Sequence, residues 1–104
     1  MQFPRPKNFP YNQVFYYDGT FALMKGRYKN WNHDSIGIRW MIGESRLGYP
    51  STHGRAMWMV LPDKIAEYIL EGINRDIATQ KSFILEENEY SNALNMLKSR
   101  DIPE

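Results

Sequence analysis

Residues 36–42 read IGIRWMI, and the stretch that decides the fold runs on from there: GESRLGYPSTHG over 43–54, RAMWMVL over 55–61 and PDKIAEYILEGINRDI over 62–77. The first run alternates, with Ile36, Ile38, Trp40 and Ile42 on one side of an extended chain and Gly37, Arg39 and Met41 on the other. The polar stretch over 43–54 is a loop. The run over 55–61 is rich in β-formers and is again readable with period two. Pro62 then offers a fixed φ where a first helical turn has no use for its N–H. Beyond it Ile65, Ala66, Ile69, Leu70, Ile73 and Ile77 recur at spacings of three and four, the mark of one apolar helix face. The unit is therefore strand, loop, strand, helix, with arginines opposite the isoleucines.

Working outward, residues 1–12 form an extended arm, because Pro4, Pro6 and Pro10 oppose both helix and ladder pairing. Phe3, Phe9 and Tyr11 interleave there with Arg5 and Lys7, and docking on the body is the favoured role. A first strand is expected over Gln13 to Tyr17, a two-residue turn at Asp18-Gly19, and a second strand over Phe21 to Trp31 with a bend near Gly26. The run NWNHDS (30–35) is a turn cluster. Past residue 77 the pattern loosens into a connector, with SFIL (82–85) either a short strand or an apolar link. A second helix is expected over Glu89 to Ser99, with Asn88 as its cap and Tyr90, Ala93, Leu94 and Leu97 on one face. Residues 13–77 thus form a β-β-β-β-α core, and residues 78–104 a connector and C-terminal helix of the same domain.

A chain of 104 residues holds one core. It contains no cysteine, which excludes a disulfide scaffold, a thiolate zinc site and a cysteine nucleophile, and which suits a cytoplasmic protein. The opening MQFPRPKNFP has no apolar run and is not a signal peptide, and no stretch approaches the length of a membrane span. The net charge of +1 conceals two unlike halves. Residues 1–62 carry eight Lys and Arg against three Asp and Glu; residues 63–104 carry five against nine. A basic half of +5 suits an anionic partner.

Sites for catalysis are scarce. His33 and His53 sit in polar loops with no neighbour at a ligand spacing, so each reads as a solvated loop residue, and no metal or cofactor is expected. Ser45 in GESRLG is not a nucleophile elbow, and Gly43, Gly48 and Gly54 fit neither a dinucleotide nor a P-loop pattern. Glu67 and Glu71 are one helical turn apart and read as a solvated face. The strands offer more. Lys25, Arg27 and Lys29 alternate along one of them, and Arg39 and Arg55 fall on its neighbours. Cations spread over an open sheet face would follow a phosphate backbone while bases stack on nearby rings. Trp31, Tyr49 and Trp58 are the candidate rings, while Trp40 and Trp58 read equally as core.

In this order and spacing the chain resembles the family of the transcriptional coactivator p15, also called positive cofactor 4. The motifs are Lys25-Gly26-Arg27, Ile36-Gly37-Ile38-Arg39, the loop Gly43 to His53, Gly54-Arg55 and Leu61-Pro62-Asp63, spread over residues 14–77. The resemblance implies a curved four-stranded antiparallel sheet followed by a helix, dimerisation through the helices, and single-stranded DNA bound on the strands. It makes Lys25, Arg27, Arg39 and Arg55 phosphate contacts and puts Trp40 near the family's aromatic after the arginine. Residues 78–104 have no counterpart in it.

The reading that results is an α+β domain with a four-stranded antiparallel sheet, a helix and a short C-terminal helix. As a homodimer it binds single-stranded DNA or RNA, largely without regard to sequence, through Lys25, Arg27, Lys29, Trp31, Arg39, Tyr49, Arg55 and Trp58. Two alternatives stand beside it: a protein-interaction or assembly module, and a small-molecule-binding domain or enzyme with a pocket between sheet and helices.

Overall fold

The computed structural model describes residues 3–41, 48, 50–52, 55–75 and 83–100, with the backbone alone for Thr52 and Arg55. Strands β1 (Tyr11–Tyr17), β2 (Phe21–Gly26), β3 (Ser35–Trp40) and β6 (Met59–Leu61) form an open antiparallel sheet in the order β1-β2-β3-β6. Two-residue strands β4 (Ser51–Thr52) and β5 (Arg55–Ala56) pair as a separate ribbon. Helices α1 (Asp63–Arg75) and α2 (Glu87–Arg100) complete an α+β arrangement.

The alternation read in residues 36–40 holds and fixes which side chains share a face. Ile36 and Leu23 pack with Phe15, Tyr16 and Leu61 against Ala66, Leu70, Ile73, Tyr90, Ala93 and Leu97 of the two helices. On the other face Ala22, Met24 and Val14 pack with Phe9 of the arm and with Trp58. The sheet is therefore covered on both sides, by helices on one and by the N-terminal arm on the other. A register shift between Val14 and Tyr16 lets β1 feed both layers, so that three consecutive residues are buried.

Several expected boundaries move, each for a local reason. The second strand ends at Gly26 rather than Trp31, because the arm crosses there: a Cβ at Gly26 would stand 2.1 Å from the Pro10 carbonyl oxygen. Lys29 then takes a positive φ of 51°, and Trp31 N–H donates to the Tyr28 carbonyl to close a turn. The Asp18-Gly19 turn is wider than two residues. Tyr17 pairs with Ala22, and the Asp18 carboxylate accepts from the N–H groups of Thr20 and Phe21 at 2.8 and 3.1 Å. The expected strand over 55–61 breaks in two, since Arg55–Ala56 belongs to the ribbon while Met59–Leu61 joins the sheet.

Helix α1 begins as the proline predicts, with Ala66 N–H donating to the Pro62 carbonyl at 2.9 Å. Its buried line is Ala66, Leu70 and Ile73, while Ile65 is 46% exposed. Ile42 and Ile77, assigned to the third strand and the first helix, lie outside the described residues. Helix α2 starts before Asn88, with Tyr90 N–H donating to the Glu86 carbonyl at 3.0 Å, so Asn88 is inside the helix and not its cap. Ile84 makes a single bridge to Tyr16, and Leu85 N–H donates to the Phe15 carbonyl. Tyr90 ties the helices together by donating its hydroxyl to the Leu70 carbonyl at 2.7 Å.

Candidate nucleic-acid interface

Directly opposed residues of an antiparallel pair share a face, and adjacent residues alternate. Lys25 opposes Ile36, on the helix side; Arg39 opposes Ala22, on the arm side. The expected basic face is thus divided between the two sides of the sheet. Lys25 points under α2, where its ammonium lies 3.5 Å from Glu89 Oε1 with both side chains nearly covered. Arg39 is 1% exposed. Its guanidinium lies over the Trp58 ring and donates to the Pro50 and Met57 carbonyls, so it clamps the segment that carries the β4–β5 ribbon onto the sheet. Burial lowers the pKa of Arg39 from its ordinary value. Charge compensation by carbonyl dipoles and a ring face suits a structural cation held out of water.

Trp58 is core: it is 4% exposed, its indole N–H donates to the Pro4 carbonyl at 2.9 Å, and its ring meets Tyr11 edge-on. Trp40, which reads equally as core in the sequence, is 42% exposed at the far end of β3 and packs one edge on Phe21. Tyr49, His53 and the Arg55 side chain lie outside the described residues.

Three expected contacts remain at the surface, and they belong together. Arg27, Lys29 and Trp31 all lie in the connection between β2 and β3. Arg27 is more than half exposed and 3.6 Å from the Asp34 carboxylate. Lys29 lies over the Tyr28 ring, 5.1 Å from its centroid. Trp31 is 41% exposed and meets Tyr28 edge-on at 5.1 Å, while His33 stacks on it at 5.2 Å with 26° between the planes. Tyr28 in turn stands edge-on to the buried Phe9. A file of four rings therefore runs from the arm-side core to solvent and holds the indole in one orientation. Lys29 N–H donates to the Asn8 carbonyl, which brings the exposed Lys7 of the arm to the same end of the molecule.

The same end holds a cleft of about 380 Å³ lined by Trp31, His33, Ser35, Val60, Leu61, Pro62 and Asp63. Arg100, from the last turn of α2, donates to the Asp34 carbonyl at 2.7 Å and to the carboxylate of Asp63, one of the lining residues, at 3.4 Å. Sequence reasoning does not find His33, Asp63 or Arg100 as site residues. The Trp31-x-His33 spacing is a visible signal, whereas the approach of Arg100 depends on tertiary packing across the chain.

A second exposed surface carries large apolar side chains. Glu71 holds Lys98 at 2.9 Å, so the Glu67–Glu71 flank of α1 faces α2. Helical spacing puts Ile65, Tyr68 and Gly72 on the next flank round, where the Lys64 ammonium lies 5.8 Å from the Tyr68 ring centroid. Tyr68 is 62% and Ile65 46% exposed, and open space surrounds the Gly72 Cα. Strand β6 is an edge of the sheet, and its Met59 is 46% exposed.

Among the described residues no three His, Asp or Glu side chains converge as a metal site would require, and no helix is long and apolar enough to cross a membrane. Compared with known proteins, the chain matches no family model, no curated protein and no solved structure. The family resemblance therefore rests on its sequence motifs alone.

Proposed function

We propose that this protein binds single-stranded DNA or RNA, largely without regard to sequence, through the β2–β3 connection rather than the open face of a sheet. The observation that carries the reading is Trp31, held by Tyr28 and His33 yet 41% exposed, with Arg27 and Lys29 exposed beside it. A fixed ring stacks any base, and flexible cations on either side follow the phosphates. Because the ring is already oriented, little conformational freedom is lost on binding. The lack of cysteine accords with a cytoplasmic setting.

The test is titration of labelled single strand and duplex at two salt concentrations. Wild type should bind the single strand at low salt. Arg27→Ala should weaken binding on every sequence and lower the magnitude of the salt slope by about 0.7. Trp31→Ala should cost about 1–3 kcal/mol with the slope unchanged. Absence of single-strand binding by wild type at low salt sinks the proposal.

A second reading is favoured by the exposed apolar side chains of α1: an assembly module, with a second copy as the first partner. Ile65 and Tyr68 are exposed on α1 with Lys64 over the Tyr68 ring, and Met59 is exposed on the strand before it, so pairing with a second copy would cover large apolar side chains.

A further inference from the structure

We propose that the cleft beside Trp31 is a base-reading subsite that takes a nucleobase with an exocyclic amine, cytosine, adenine or guanine, and discriminates against thymine and uracil. The inference rests on the single-strand reading and adds a preference to it.

Trp31 and His33 give the cleft aromatic lining, Val60, Leu61 and Pro62 apolar lining, and Asp63 a carboxylate, within about 380 Å³. An open cleft of that volume has room for one flat base, the part of a single strand that suits an aromatic and apolar lining. Arg27 and Lys29 of the same β2–β3 connection are exposed for the negative backbone, while Arg100 is held by the Asp34 carbonyl and the Asp63 carboxylate. Asp63 gives the site its selectivity. One of its oxygens meets Arg100 at 3.4 Å, which leaves most of its acceptor capacity unused, and its side chain is 44% exposed. An ionised carboxylate can only accept. It accepts directly from the N4 amine of cytosine, whereas thymine presents a carbonyl oxygen at that ring position and its one N–H donor lies between two carbonyls, so the carboxylate meets it less favourably.

The two pyrimidines are close in size and stacking surface, so they isolate the Asp63 contact. Labelled oligo-deoxycytidylate and oligo-thymidylate are titrated with wild type, Asp63→Asn, Arg100→Gln and Trp31→Ala at neutral pH and low salt. Wild type should prefer the cytosine strand about tenfold. Asp63→Asn, whose amide can both donate and accept, should bring the ratio to about one while binding thymidylate no more weakly. Arg100→Gln breaks the same ion pair but keeps the carboxylate, so it should weaken both strands and preserve the ratio. Trp31→Ala should weaken both. Equal wild-type binding of the two strands, or an Asp63→Asn protein that keeps the preference, overturns the subsite and leaves the single-strand function standing. If neither strand binds, the function itself fails and the subsite with it.

Discussion

Lys25 and Arg39 point to opposite sides of one sheet, although they stand on adjacent strands: Lys25 opposes Ile36 under the helices, and Arg39 opposes Ala22 beneath the arm. Each cation is consumed by packing. These two cations therefore do not share a basic face. Among the described residues Arg27 and Lys29 stay exposed at the turn end, and the two sheet cations should behave as structural groups when they are replaced.

Lys25 and Glu89 form an ion pair with both side chains nearly covered, at 3.5 Å. Removing one partner strands the other in a poorly solvated place, whereas replacing both with apolar groups removes two desolvation costs at once. Lys25→Met alone should destabilise the fold by about 2–3 kcal/mol, somewhat below the range for fully buried pairs because some exposure remains. The Lys25→Met, Glu89→Leu double variant should recover most of that. Urea denaturation of wild type, both single variants and the double variant measures the cycle, and equal loss in single and double variants would refute it. Single-strand affinity should not change with Lys25.

Arg39→Ala should release the segment between Pro50 and Met57 and leave Trp58 without its cation. A cost of about 2–4 kcal/mol is expected, by loss of charged hydrogen bonds in a buried site. Any loss of nucleic-acid binding should then follow the unfolded fraction and disappear where the variant is fully folded. A folded Arg39→Ala protein with a reduced salt slope would instead make Arg39 a phosphate contact.

The strands and helices were legible because their periodicity is local: the alternation over 36–40 and the three-and-four spacing over 66–73 survive intact. The information the sequence could not disclose was non-local. Register decides that Lys25 joins the Ile36 face, and the arm decides that the opposite face is closed. Gly26 marks where that arm passes, but a glycine announces a close approach without naming the partner. Ile65 fits the apolar spacing yet lies on the exposed flank of α1, since a stripe one residue wide cannot fix the helix's rotation. Arg27, Lys29 and Trp31 keep exposed surface because the chain turns there, although Asp34 pairs with Arg27 and Tyr28 and His33 pack on Trp31.

Tyr16 is buried, and burial with the nearby Asp18 carboxylate pushes its pKa up to about 12. The folded state then keeps the phenolic proton where the unfolded chain, near 10, has lost it. The stabilisation is full below pH 10 and is lost as pH rises to 12, up to about 2–3 kcal/mol in all. Denaturant midpoints measured across that window should fall for wild type and fall less for Tyr16→Phe. Parallel slopes for the two proteins would remove Tyr16 as the cause.

Phe9 has no solvent exposure and links the arm to Tyr28, while Pro4 accepts the indole proton of Trp58. The arm is thus half of the second apolar layer. Phe9→Ala should cost about 3–4 kcal/mol. Because Tyr28 orients Trp31, the same change should also loosen the stacking ring and weaken single-strand binding in protein that remains folded. Truncation before Phe9 should shift Trp58 emission to longer wavelength. If Phe9→Ala destabilises the protein yet leaves single-strand affinity intact, the arm is structural and the ring file does not position the indole.

Self-association is predicted at the flank of α1 that carries Ile65 and Tyr68. Ile65 and Tyr68 lie one turn apart, Gly72 continues their line with nothing within 4 Å of an added Cβ, and Met59 is exposed on the edge strand that leads into the helix. A two-fold contact through this flank would bring like apolar surfaces together, and Gly72 would let the two helices approach closely. The charged flank, with Glu71 bound to Lys98, is already occupied within the protomer. Wild type should therefore scatter light as a dimer at tens of micromolar, roughly where interfaces near the lower end of the standard size dissociate. Tyr68→Glu with Ile65→Lys should give a monomer that keeps its fold, because neither side chain belongs to the buried line Ala66, Leu70 and Ile73. A wild type that remains monomeric at that concentration excludes this surface as a homodimer contact, and a variant that remains dimeric moves the contact elsewhere.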